Sequence, residues 1–164
     1  MAMEKSKLEI SVQFIQKFKL TVDLAGLEKL VKDICLEFSK KQIKKTLYEI
    51  NIQIIGDSEI KKINKKFLNK NTVTDCISFD LSDNSTSIKS FDLAVNAQKA
   101  VKEAKKRGHS IHAELALYIT HGLLHNFGFN DAKPQDAEKM HNTEDKILNE
   151  HSFGLVYNSI KENR

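Results

Sequence analysis

Four residues of this chain have types and spacing suited to chemistry: His121, His125, Gly128 and Asp131, in the pattern His-x3-His-x2-Gly-x2-Asp. On a helix, an i, i+4 pair places two imidazoles one turn apart on one face, close enough to share a metal ion. Gly128 is free to take the left-handed conformation that ends a helix and turns the chain back. Such a turn would carry the Asp131 carboxylate toward the same ion. Three protein ligands leave one tetrahedral position open, the arrangement of a catalytic rather than a structural zinc.

The two histidines, the glycine and the third ligand fall at the offsets of the extended zinc motif of metzincin-type proteases, with Asp131 where a third histidine usually stands. The residue after the first histidine separates the two chemistries. Zinc proteases have a glutamate there, the general base for the attacking water. This chain has Gly122, so the protease reading lacks its base.

The elements that must position these residues are legible from periodicity. Leu8, Ile10, Val12 and Phe14 alternate with polar residues, as do Tyr48, Ile50, Ile52 and Ile54 up to Gly56, and both runs predict half-buried strands. Leu27, Leu30, Val31, Ile34 and Phe38 follow helical spacing behind Asp23, a candidate N-cap; Cys35 beside them reads as a small buried hydrophobe. A second helix carries Ile60, Ile63 and Phe67 on one face, capped by Asp57 or Ser58. Short strands are expected at 76–79 and 91–95, with an exposed polar loop over 82–90 between them. Asn96 and Gly108 bound a third helix, and Ser110 starts a fourth that runs to about Phe127. Leu115-Ala116-Leu117-Tyr118-Ile119 is apolar on nearly every side, so this fourth helix, which bears the histidines, is expected to be buried. Pro134 suits the first turn of a last helix packing through Met140, Ile147 and Leu148, and residues 151–164 read as a loose tail. The fold class is α+β: a small mixed four-stranded sheet packed by helices, with the metal site on a buried helix of the C-terminal half. No linker or repeat interrupts residues 1–164, which read as a single domain.

Composition narrows the setting. With 164 residues the chain can bury a sizeable core, and a formal charge of +4 is compatible with a polyanionic partner without requiring one. The lysines cluster at Lys40, Lys41, Lys44 and Lys45 and again at Lys61, Lys62, Lys65 and Lys66; as a surface they could contact phosphates, and their plainer role is a solvated face. Two cysteines without a CxxC pair point to a reduced, cytoplasmic setting. The opening residues lead into an alternating strand rather than an apolar run, and no stretch approaches a membrane span, so neither signal peptide nor membrane association is expected.

Four stretches together resemble the YbeY family of bacterial endoribonucleases. His121-Gly122-Leu123-Leu124-His125 with Gly128-Phe129-Asn130-Asp131 resembles the family's His-Gly-x-Leu-His…Gly-Tyr-Asp-His. Thr74-Asp75-Cys76-Ile77-Ser78-Phe79 resembles Thr-Asp-Val-Leu-Ser-Phe, and Phe91-Asp92-Leu93 resembles the Gly-Asp-Ile/Val strand. Gly108-His109-Ser110 with Glu114-Leu115-Ala116 resembles the approach to the metal helix, so the match runs in register from about residue 46 to 150. The resemblance implies a zinc-dependent, single-strand-specific endoribonuclease with one Zn2+ held by His121, His125 and Asp131. It implies action in 16S rRNA 3′-end maturation, ribosome biogenesis and ribosome quality control, with precursor rRNA, the ribosome and ribosomal proteins as partners. No catalytic side chain is assigned beyond the water on the metal.

Two departures mark this chain. Asp131 stands where the family usually has histidine, a harder ligand that favours manganese or magnesium more than three histidines would. Phe67 and Leu68 stand where the family usually has Tyr-Arg. An arginine there would suit a scissile phosphate; leucine cannot do so, which leaves Lys66 and Lys70 as candidate RNA contacts by adjacency. Asp75 and Ser78 are candidates for the cleft wall, with packing and strand-end hydrogen bonding the plainer role. His109, His112 and His141 read as surface or capping residues. The rival from another class is a zinc-stabilised, ribosome-associated binding module with little catalysis, and a metalloprotease stands further back.

Overall fold

The computed structural model describes residues 8–39 and 45–154. Lys40, Lys41 and Lys44 lie outside the described residues, as do residues 1–7 and 155–164. The order is β1 (Leu8–Gln16), α1 (Leu24–Phe38), β2 (Thr46–Ile55), α2 (Asp57–Leu68), β3 (Cys76–Asp80), β4 (Ile88–Asn96), α3 (Ala97–Arg107), α4 (Ile111–Asn126) and α5 (Pro134–Glu150). The strands form one mixed sheet in the order β1-β2-β4-β3. β1 and β4 run parallel to β2, and β3 closes the edge antiparallel to β4. The fold is the α+β class expected from a chain in which strands and helices are mixed early and helices alone follow late.

Period-2 alternation sorts the strands into two faces. Ile50, Ile52 and Ile54 pair in register with Phe91, Leu93 and Val95, and all six join one core with α1, α3, α4 and α5. On the opposite face Ile55, Ile77 and Ala94 form a second, smaller cluster with Ile60 of α2. α4 lies in the main core with residues 113–120 all buried, which is why its sequence is apolar all round rather than on one stripe.

Capping follows the local chemistry. The side chains of Asp23, Asn96 and Ser110 accept from the amides of Gly26, Lys99 and Ala113 at 3.2, 3.0 and 3.0 Å. Each satisfies an amide that a helix start leaves without a partner. Gly108 ends α3 in the left-handed conformation at φ 74°.

Four expectations are corrected. α2 is capped by Gly56, with no side-chain bond, and not by Asp57 or Ser58. The Asp57 carboxylate instead accepts from Asn96 Nδ2 at 2.7 Å, tying the start of α2 to the start of α3. Phe67 does not share the burial of Ile60: it is 59 % exposed and meets Phe79 edge-on at 5.4 Å. β4 begins at Ile88, so part of the expected 82–90 loop is strand. The start of the expected loose tail is anchored, since His151 Nε2 meets Asp33 Oδ2 at 2.9 Å and Phe153 packs on the core.

Candidate metal centre

α4 approaches the sheet closely at one residue. A Cβ added at Gly122 would meet Cys76 Sγ at 2.8 Å and Leu93 Cδ2 at 3.0 Å. Glycine therefore lets the histidine-bearing turn lie against β3 and β4. The same geometry disposes of a protease base at this position, because a glutamate side chain would point into packed sheet.

His121 and His125 sit on the adjoining face, their Nε2 atoms 3.1 Å apart and their rings nearly perpendicular. After α4, Gly128 takes φ 99°, and the amides of Gly128 and Phe129 bond back to the carbonyls of His125 and Leu124, both at 3.0 Å. This turn has two effects. It delivers the Phe129 carbonyl to His125 Nδ1 at 3.1 Å. It also returns the chain so that Asp131 Oδ2 lies 3.8 Å from His121 Nε2 and 3.6 Å from His125 Nε2. His121, His125 and Asp131 together form a group that could hold a metal ion, each offering one ligand atom within 4.8 Å of the others.

The hydrogen-bond partners assign the tautomers. A backbone carbonyl only accepts, so His125 carries its proton on Nδ1. His121 Nδ1 lies 2.6 Å from Glu144 Oε1, and that carboxylate likewise calls for an N–H. Both Nε2 atoms thus present lone pairs toward one point, beside the Asp131 carboxylate. Such a donor set fits a divalent cation. Zinc–nitrogen bonds of about 2.0–2.1 Å at a tetrahedral angle require nitrogens roughly 3.3 Å apart, close to the spacing here. Burial opposes protonation of His121, but the hydrogen bond and charge of Glu144, with the charges of Asp75 and Asp131, outweigh it and leave the imidazole more basic than usual. A more basic imidazole is a stronger metal donor.

The three residues open on a cleft of about 450 Å³ between the end of α2, the segment before β3 and α4. Lys70, Leu68, Asp75 and Ser78 line it with them. Lys66 is not among the lining residues; its ammonium sits 5.2 Å from the centre of the Phe67 ring. Asp75 both lines the cleft and orders the strand end, its Oδ1 accepting from the Cys76 amide at 2.7 Å and its carbonyl from the Asn96 amide at 2.8 Å. The buried Asn64 shapes the same wall by donating to the Thr72 carbonyl at 3.0 Å.

His112 lies elsewhere, its Nε2 accepting from the Asp23 amide at 2.7 Å, a capping role in keeping with its expected one. His141 comes nearer than a surface residue would: its Nδ1 lies 3.0 Å from Glu144 Oε2. Glu144 is the residue that sequence reasoning missed. Its signal was an acid at a core-facing position of α5, between Met140 and Leu148, where burial demands a partner.

An α+β domain with a buried helix that offers two imidazoles and a carboxylate at a cleft mouth defines a class with a candidate catalytic metal centre. Residues 11–152 match the family described as Endoribonuclease YbeY, and the chain belongs to that family. Among its relatives, the Endoribonuclease YbeY of Staphylococcus saprophyticus is 31 % identical over 151 residues, covering 83 % of this chain and 97 % of the relative. That of Caldicellulosiruptor bescii is 29 % identical over 156 residues, covering 87 % and 98 %. The solution structure of TM1509 from Thermotoga maritima shares the fold, with a TM-score of 0.52 and 23 % identity over 86 % of this chain and 90 % of that one.

Proposed function

We propose that this chain, as one domain over residues 1–164, is a metal-dependent endoribonuclease that cuts single-stranded RNA. Zinc is the proposed ion, held by His121 Nε2, His125 Nε2 and Asp131 Oδ2. The convergence of those three atoms on one point at the cleft mouth, with both Nδ1 atoms already committed to acceptors, carries the reading. Membership of the YbeY family supplies the reaction class. A divalent ion bound there would supply Lewis-acid activation of water and of a phosphoryl oxygen, which removes the need for a glutamate at Gly122.

The chain's own residues do the rest. The Phe129 carbonyl holds the His125 imidazole in the donor tautomer. Lys70, on the cleft wall, is placed to attract a phosphate as a point charge. Asp75 and Asn64 fix the segment before β3 that carries Lys70. The wider role in this reading is 16S rRNA 3′-end maturation, ribosome biogenesis and ribosome quality control in the cytoplasm, with the ribosome and its proteins as partners. Among the described residues no helix is long and apolar enough to cross a membrane.

One observation favours a second reading, a ribosome-associated binding module with little catalysis. Leu68, 47 % exposed, lines the cleft, and it offers no charge for a transition-state phosphate. Purified protein incubated with labelled single-stranded RNA, alongside Asp131→Ala and a chelator-treated sample, separates the two. The nuclease reading expects cleavage by the native chain that both controls abolish. Retained RNA binding without cleavage under zinc, manganese or magnesium establishes the module instead.

A further inference from the structure

Glu144 is an acid on α5 that is 1 % exposed, and a carboxylate so deep in a protein is costly unless its oxygens are satisfied. Its two oxygens go to two imidazoles: Oε1 to His121 Nδ1 at 2.6 Å and Oε2 to His141 Nδ1 at 3.0 Å. A simple staple between α4 and α5 would not need this chemistry, since Met140, Ile147 and Leu148 of α5 already bury in the common core. The carboxylate does something an apolar contact cannot. It accepts the Nδ1 proton of His121 and so leaves Nε2 bare, pointing at His125 Nε2 and Asp131.

We propose that Glu144 is a positioning residue of the metal centre, braced by His141, that holds His121 in the tautomer and orientation needed to bind a cation. The inference rests on the reading of His121 as a metal ligand. His141, three residues before Glu144 on the same helix, occupies the second oxygen and stops the carboxylate from rotating. The histidine-bearing helix is thereby oriented from α5, while Gly122 sets its distance from the sheet. Partners of this kind, one shell beyond the ligands, commonly change metal affinity by about 10–100-fold when removed.

Three variants test the assignment. Glu144→Gln keeps the shape but turns one acceptor oxygen into an NH2 donor, so one imidazole must surrender its Nδ1 proton. His141→Ala removes only the brace. Ile147→Val loosens the same helix without touching the chain of hydrogen bonds. Zinc affinity by chelator competition, chemical stability in urea and the imidazole 15N spectrum of His121 are measured for each. The expected result is a zinc affinity about 10–100-fold weaker in Glu144→Gln and a smaller loss in His141→Ala. Ile147→Val should lose stability with zinc affinity unchanged. His121 should show a single Nδ1–H tautomer in the native chain and a mixture in Glu144→Gln. Native-like zinc affinity in a folded Glu144→Gln, or an affinity loss matched by Ile147→Val at equal destabilisation, overturns the proposal. So does a native His121 protonated on Nε2 in its neutral form, a result that needs no variant to fold. A native chain that binds no zinc refutes the metal reading itself, and the 15N tautomer still reports separately on Glu144.

Discussion

Replacing Gly122 with alanine tests whether the close seat of α4 on the sheet is real. In isolation the change would help, because alanine in a helix interior is favoured over glycine by about 1 kcal/mol. Here the new methyl would sit 2.8 Å from Cys76 Sγ and 3.0 Å from Leu93 Cδ2, inside contact distance for both. Leu93 is buried in the inner strand β4, so relief must come from Cys76 on the edge strand or from a shift of α4. Overpacking of this size costs roughly 1–3 kcal/mol, so we expect a net destabilisation of up to about 2 kcal/mol. A shift of α4 would also move His121, the preceding residue, and zinc affinity should fall with stability. Urea unfolding gives the first quantity and chelator competition the second. Repeating the change in a Cys76→Ala background should recover part of the loss, as neighbouring sites that share a clash do not add. A Gly122→Ala protein as stable as the native chain, with the same zinc affinity, would refute the packing account.

Arg107 of α3 reaches Glu114, which is fully buried on α4, at 3.3 Å. Arg107→Ala strands that carboxylate and should cost about 3 kcal/mol near neutral pH, the low end for breaking a buried pair because the arginine is partly exposed. Burial raises the Glu114 carboxyl above its ordinary range, against the pull of Arg107. A raised folded value gives stability that is full below the unfolded carboxylate range and is lost as pH rises through the folded value. Arg107→Ala should therefore lose more melting temperature at pH 8 than at pH 5, and an equal loss at both would sink the assignment. Lys70→Ala should weaken single-stranded RNA binding and lower its salt slope by about 1, whereas Lys66→Ala should change both less; the reverse order would place the phosphate contact outside the cleft. Leu68→Arg puts a guanidinium on the cleft wall, and a charge-assisted bond of about 1.5–3 kcal/mol should raise cleavage tenfold or more. No gain in single-turnover rate would show that the wall does not face the scissile phosphate.

The strands and the metal helix were legible because their patterns are local. Ile50, Ile52 and Ile54 alternate at the pleat, and the all-apolar stretch of α4 announces a helix buried on every side. The candidate trio His121, His125 and Asp131 was legible because the i, i+4 spacing and a glycine turn are short-range geometry. What lay hidden was everything that depends on which elements meet. The sheet order β1-β2-β4-β3 brings β4 beside β2 across an intervening helix and strand, a choice no periodicity encodes. Glu144 follows His121 by 23 residues and was one acid among several on its helix until α5 packed on α4. Gly122 showed only the lack of a protease base; its positive role appears once Cys76 and Leu93 are seen beneath it. Phe67 satisfied the helical period of Ile60 and Ile63 yet stays exposed, meeting the sheet through Phe79 of β3. Asp57 had the right type for an N-cap but is held by Asn96 instead.

The central claim is that His121, His125 and Asp131 hold one catalytic ion, and the metal content of the chain purified without added metal tests it most directly. Elemental analysis should give about one divalent ion per chain in the native protein, zinc in the proposed reading, and a large loss in Asp131→Ala and His125→Ala at unchanged fold. Substoichiometric metal in the native chain, or full occupancy that survives both substitutions, would contradict the account.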